Sequence, residues 1–394
     1  MVKITDKTAC SGCTACMAVC PVNCISMIRD EQGFLYPSAR EDDCIGCNAC
    51  TEVCERTENR SEINADETQS AFGAYAKDEE LRMSSSSGGV FSLLAEDIIK
   101  SGGVVIGAAF SDDYKSVCHV KAESTDELAK FRGSKYLQSD MGDMFCQVKD
   151  MLDKGIKVLF SGTPCQTDGL KAFLGKDYND LTLVDFICHG VPSAIIWDKY
   201  CSELEQKAGG HLSSAGFRFK KQQNSDLDSY GKTIFRTKAE DPYMRLFLSN
   251  YTLRPSCYDC KHKGISRKSD ITIADFWGVN QILPGFSDKK GTSLIIVHSQ
   301  KGKELLERIS SGIVITEADP EACVSRHRSA VVSSPKPVDV DDFWKEVPLK
   351  TIAQLADSFC PVDNKQSVKA AIKKLPIYGM LKKGSKPAKK SPWA

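Results

Sequence analysis

The chain has no surplus of charge of either sign: 52 Lys and Arg balance 52 Asp and Glu over 394 residues. That balance excludes the global basic field expected of a nucleic-acid binder and leaves partners to local surfaces. Runs of about eighteen apolar residues are absent, so no membrane span is expected. The longest apolar stretches, Val104 to Phe110 and Leu294 to Val297, are strand-sized. The opening Met1-Val-Lys-Ile-Thr5 has no apolar segment of a secretory leader. Also missing are a Gly-x-Gly-x-x-Gly after a strand and a Walker loop, so no Rossmann or P-loop nucleotide site is visible.

Cysteine, in contrast, is abundant. Nine of the 18 fall in the first 54 residues, eight of them as Cys10-x2-Cys13-x2-Cys16-x3-Cys20-Pro21 and Cys44-x2-Cys47-x2-Cys50-x3-Cys54. This is the ligand spacing of two 4Fe-4S cubanes: a tight loop with two-residue gaps reaches three iron corners, and the fourth thiolate comes from the other run. Cys10, Cys13, Cys16 and Cys54 are assigned to one cluster, and Cys44, Cys47, Cys50 and Cys20 to the other. Zinc prefers well-separated cysteine pairs and fits this doubled run poorly. A disulfide framework conflicts with the missing leader, and free thiols in this number imply a reducing cytoplasm. Glu55 stands where the second run would carry its proline. Cys24 lies off the repeat and reads as a small buried hydrophobe. Cys118, Cys146, Cys201, Cys323 and Cys360 are isolated and read the same way.

Length suggests roughly two or three domains. Residues 1–60 are expected to form a two-cluster ferredoxin-like domain, with short strands at Ile25 to Ile28 and Phe34 to Tyr36. A polar stretch begins at Glu55, and residues 61–82 read as a linker between independently folded units. Residues 83–360 alternate strands (Val104 to Phe110, Lys157 to Phe160, Leu181 to Ile187) with helices (from Val90, Met141, Cys165 and Pro192), predicting a parallel or mixed α/β sheet covered by helices. Phe217 to Phe219 and Thr233 to Thr237 alternate with period two and predict paired antiparallel strands. Strands are also expected at Ile271 to Ala274, Ser293 to His298 and Ile313 to Thr316. Residues 361–394 form a basic tail rich in lysine, readable as a solvated end or an anionic-surface contact.

Four further cysteines sit where a third cluster would place them. Cys165 opens a helix directly after a strand, where the dipole favours thiolate. Cys188 follows the next strand, and in a parallel sheet both strand ends open on one edge. Cys257 and Cys260 make a two-residue clip. A zinc clip at that pair and a redox-active or nucleophilic Cys165 stay open as alternatives. His189 is either a proton donor or a core residue. No catalytic acid is evident.

Clusters pass single electrons, and an organic cofactor commonly converts these to pairs. Ser84-Ser-Ser-Ser-Gly-Gly89 opens a helix whose amides and dipole suit a pyrophosphate.

Several segments together resemble one family, the beta subunits of coenzyme F420 hydrogenases and dehydrogenases. They are Ser86-Ser-Gly-Gly-Val-Phe91, Phe131 to Ser139, Phe160-Ser-Gly-Thr-Pro-Cys-Gln166, Cys188-His-Gly-Val-Pro-Ser193, Cys257-Tyr-Asp-Cys-Lys261, and Ser269 to Gly278. The resemblance implies an α/β flavin domain with non-covalent FAD, and a third 4Fe-4S cluster on Cys165, Cys188, Cys257 and Cys260. It further implies that Ser87, Gly88, Gly89, Lys135, Tyr136, Gln138, Gly162 and Thr163 lie near the flavin. Ala274 stands where relatives often have Gly. The function implied is an FAD-dependent iron-sulfur oxidoreductase that exchanges hydride with a small organic substrate or deazaflavin, with ferredoxin or a catalytic subunit as redox partner. The alternative is an electron-transfer subunit or adaptor without a substrate of its own, in the manner of relatives linked to cell-surface polysaccharide synthesis.

Overall fold

A computed structural model describes residues 6–58, 69–218, 224–229, 232–237 and 239–361. Between the two cysteine runs, strands β1 (Ile25–Arg29) and β2 (Leu35–Ala39) pair antiparallel, with Ile25 opposite Ala39. Their turn forms because Asp30 Oδ1 accepts the backbone N–H groups of Gln32 and Phe34, and because Gly33 takes a φ of +84°. A Cβ at Gly33 would come within 2.7 Å of Ile195, so the turn docks tightly on the helix Ala194–Ala208.

The rest of the chain is built on β3 (Ser70–Ala76), β4 (Val104–Phe110), β5 (Val117–Ala122), β6 (Val158–Ser161), β7 (Leu181–Phe186), β8 (Leu212–Gly216), β9 (Asn224–Ser229), β10 (Lys232–Thr237), β11 (Ile271–Asp275), β12 (Ser293–Val297) and β13 (Ile313–Ala318). Eight of these form one mixed sheet in the order β13-β3-β12-β11-β7-β6-β4-β5. Its centre is parallel: β4, β6, β7 and β11 run the same way. β12, β3, β13 and β5 are added antiparallel. The central strands are buried on both faces, which is why they read as unbroken apolar runs.

Three expectations need correction. Residues 70–82 are not linker: β3 lies between β12 and β13, and the helix Glu79–Ser84 follows it. Its Ala- and Gly-rich sequence is weak strand material, and both pairing partners lie far along the chain. Residues 59–68, the remainder of that expectation, lie outside the described residues, as does the lysine-rich tail from 362. The ferredoxin unit is not separately packed either, since Ala15 and Val53 are buried in the same core as Ile106, Phe145, Phe160 and Leu170. Finally, β10 pairs with β9 and not with a strand at Phe217 to Phe219. Phe217 instead buries its ring beside Trp197 and Tyr243, at 5.2 and 5.9 Å, and Phe219 lies outside the described residues.

Candidate metal centres

The parallel centre of the sheet decides where the second group of cysteines goes. β6 and β7 are neighbours running in one direction, so the loops after both leave from the same edge. The first loop turns into the helix Pro164–Leu174, with Cys165 in its first turn; the second carries Cys188. Thr163 caps the helix, its N–H donating to Gln166 Oε1 at 2.9 Å, and its hydroxyl lies 3.1 Å from Cys165 Sγ. The short turn Pro255–Cys257 brings in Cys257 and Cys260. All four thiols line one hollow.

The same hollow is also lined by Cys10, Cys13, Cys16 and Cys54 of the ferredoxin unit. Two four-cysteine sets thus face a common space. A second, smaller hollow collects Cys20, Cys44, Cys47 and Cys50, so the expected exchange of Cys20 and Cys54 between the runs is what the fold brings together. Among the described residues, no three His, Cys, Asp or Glu side chains converge as a single-ion site.

The chemistry of the donors fits iron-sulfur ligation. Burial pushes the thiols of Cys13, Cys16, Cys165 and Cys188 upward, and that of Cys257 up to about 12. Lys263 and Arg267 oppose the shift at Cys188. Thiols so desolvated become ligands only against a positive centre, which metal binding supplies. Two side chains just after the clip are fixed in place: Lys263 Nζ donates to the carbonyls of Cys188 and Ser329 at 2.5 and 2.6 Å, and His262 Nδ1 lies 2.5 Å from Asp168 Oδ2.

Cys24 does more than fill the core. It is buried, its Sγ is 3.4 Å from that of Cys20, and its N–H points at the Cys20 sulfur at 3.3 Å, inside the second hollow. The contact with Cys20 raises its thiol to about 11, with burial adding to it. Of the other isolated cysteines, Cys201 and Cys323 are buried and Cys118, Cys146 and Cys360 are half-buried.

The residues expected around a flavin come from three segments: the Ser/Gly loop before Val90, the stretch from Lys135 to Gln138, and the loop after β6. Ser134 Oγ donates to Ser86 Oγ at 3.2 Å, and Ser139 Oγ, five residues on, accepts from Gln166 Nε2 at 3.0 Å. Lys135 Nζ donates to the carbonyls of Lys130, Arg132 and Gly133, and burial lowers it to about 7. Tyr136 packs its ring against Phe217 and Phe247. Gln138 reaches the ferredoxin unit, donating to the Ser11 carbonyl at 3.2 Å. Gly162 follows β6, and Thr163 is occupied as the cap. In the Ser/Gly loop, Ser87 Oγ donates to the Thr292 carbonyl and Gly88 N–H donates to Ser293 Oγ. Gly89, at φ +84°, starts the helix Val90–Lys100. Thr292 Oγ1, beside this loop, is buried with no described hydrogen-bond partner. His189, with its ring against Phe247 at 5.1 Å, reads as a packed residue lining the hollow's rim.

Residues 155–322 match the model for the C terminus of the coenzyme F420 hydrogenase/dehydrogenase beta subunit, and residues 71–145 match the model for its N-terminal part. The chain belongs to this beta-subunit family. Residues 9–57 match a 4Fe-4S dicluster domain. This family member is therefore an iron-sulfur electron-transfer protein of the F420 hydrogenase/dehydrogenase type, with 4Fe-4S clusters in its N-terminal domain. A chain in the F420-reducing NiFe hydrogenase complex from Methanosarcina barkeri is similar at 17% identity and a TM-score of 0.43, over 76% of this chain and 91% of that one. No curated protein matches the sequence. Among the described residues, no helix is long and apolar enough to cross a membrane.

Proposed function

We propose that this beta-subunit relative is an FAD-dependent oxidoreductase that moves electrons between three 4Fe-4S clusters and an organic hydride carrier, coenzyme F420 or a molecule of similar chemistry. The ligands would be Cys10, Cys13, Cys16 and Cys54; Cys20, Cys44, Cys47 and Cys50; and Cys165, Cys188, Cys257 and Cys260. The observation that carries the reading is the shared hollow, in which the first and third sets face each other. Adjacent sites let an electron leave one cluster as it enters the next. FAD would supply the conversion between the electron pair of a hydride and these single electrons. Its pyrophosphate fits the helix start at Gly89, near Ser87 and the unpartnered Thr292 hydroxyl.

A second reading is favoured by the family's designation as a beta subunit: a carrier that docks on a catalytic partner and has no substrate of its own. Anaerobic purification separates the possibilities. About twelve irons, equimolar FAD and cluster reduction by a hydride donor with the chain alone are expected. About eight irons would remove the third cluster, absence of flavin would remove the hydride step, and reduction only with a partner protein present would select the second reading.

A further inference from the structure

Arg254 is completely buried, at 0% exposure, and lines the hollow between the two facing cysteine sets. Its Nε donates to the Cys10 carbonyl at 2.8 Å and Nη2 to the Leu35 carbonyl at 2.9 Å. Nη1 donates to Gln138 Oε1 at 3.2 Å, and Nη2 lies 3.7 Å from Cys10 Sγ. The guanidinium also stands over the Tyr36 ring, 4.2 Å from its centroid. Among the described residues none of its polar contacts is a carboxylate. A desolvated cation without a counter-ion is costly, and neutral carbonyls offset only part of that cost. Something anionic has to be nearby.

The sequence places Arg254 three residues before Cys257, and its side chain reaches back to Cys10. It thus stands between the Cys10 loop, which its side chain grips, and the Cys257/Cys260 clip, which its own backbone leads into. We infer that Arg254 is the fixed counter-charge shared by the first N-terminal cluster and the third cluster, holding both to higher reduction potentials and fastening the Cys10 loop to the sheet domain. The inference rests on the three-cluster reading above. Reduction adds negative charge to a cluster, and a buried guanidinium stabilises that added charge with little solvent screening. It is a positioning residue, acting through its field and its grip on the loop.

Arg254→Met tests this by spectroscopically monitored redox titration of anaerobic protein, with signals assigned by their loss in Cys44→Ser and Cys260→Ser variants. The expected result is full iron, an unmoved potential at the Cys20/Cys44/Cys47/Cys50 site, and a fall at the other two. A tenfold change in each reduction equilibrium corresponds to about 59 mV for one electron. Unmoved potentials, or an equal fall at all three sites, would overturn the inference. If Arg254→Met loses iron, Gln138→Glu decides, because it leaves the guanidinium in place and sets a carboxylate against Nη1. The same two potentials should fall, and no fall overturns the proposal. About eight irons in the unmodified chain would overturn the three-cluster reading and the bridging role together, whereas twelve with unmoved potentials overturn the bridging role alone.

Discussion

Gly169 and Cys13 are in contact: a Cβ on Gly169 would stand 2.8 Å from the Cβ of Cys13 and 3.0 Å from its Sγ. Gly169 is one turn beyond Cys165 on the helix Pro164–Leu174. One helix therefore contributes a cysteine to the third set at its start and presses on a cysteine of the first set one turn later.

Gly169→Val is expected to displace Cys13. Overpacking of this kind costs about 1–3 kcal/mol, and about four irons should be lost from the first site. Iron analysis with thermal unfolding reads both effects; a full complement of iron in a folded variant would contradict the contact.

Cys165→Ser and Cys260→Ser leave the Gly169 contact in place. Each should drop the iron count from about twelve to about eight while the two N-terminal clusters keep their signals. Loss of all iron from a still-folded Cys165→Ser protein would show that the sites assemble as one unit.

At Gly88 a Cβ would lie 2.4 Å from the Ala74 carbonyl oxygen and 2.8 Å from the Ser293 nitrogen. Gly88→Val should therefore unfold the sheet at β3 and β12, so any flavin loss would be secondary. Thr292→Val and Ser87→Ala spare that contact; each is expected to keep the melting temperature within a few degrees while weakening FAD binding by about tenfold, on the scale of one hydrogen bond. Undiminished FAD affinity in both would remove the loop from the flavin site.

Lys135 sets a pH dependence. Burial lowers its folded-state value to about 7 from 10.5. Between these values the unfolded chain binds more protons than the folded one, so stability should rise with pH from about 7 towards 10 and the rise should vanish in Lys135→Met. Its three carbonyl acceptors favour the ammonium and limit the swing. Equal denaturation midpoints across that range in the parent protein would refute the assignment.

The two cysteine runs were legible because ligand spacing is a local property of the sequence. The parallel strands Val104–Phe110 and Leu181–Phe186 were legible because burial on both faces leaves unbroken apolar runs. β3 was not: small residues give little strand signal, and its pairing with Ser293–Val297 is a long-range event. Arg254 was hidden for a related reason. One arginine near a cysteine clip looks like any other until the fold carries its side chain back to Cys10. Cys24 was set aside because it breaks the repeat, although its proximity to Cys20 is visible once β1 starts at Ile25 and holds the turn.

The hollow of Cys47 differs in kind from the one around Arg254. Cys47 is exposed, with Ile45 and Val22 bare beside it at 64% and 38% exposure. The eight cysteines facing the Arg254 hollow are all half-buried, and none of them is exposed as Cys47 is. On the function proposed above, the second set would be the molecule's outer terminal, with Cys47 as the corner at which an outside electron carrier is met.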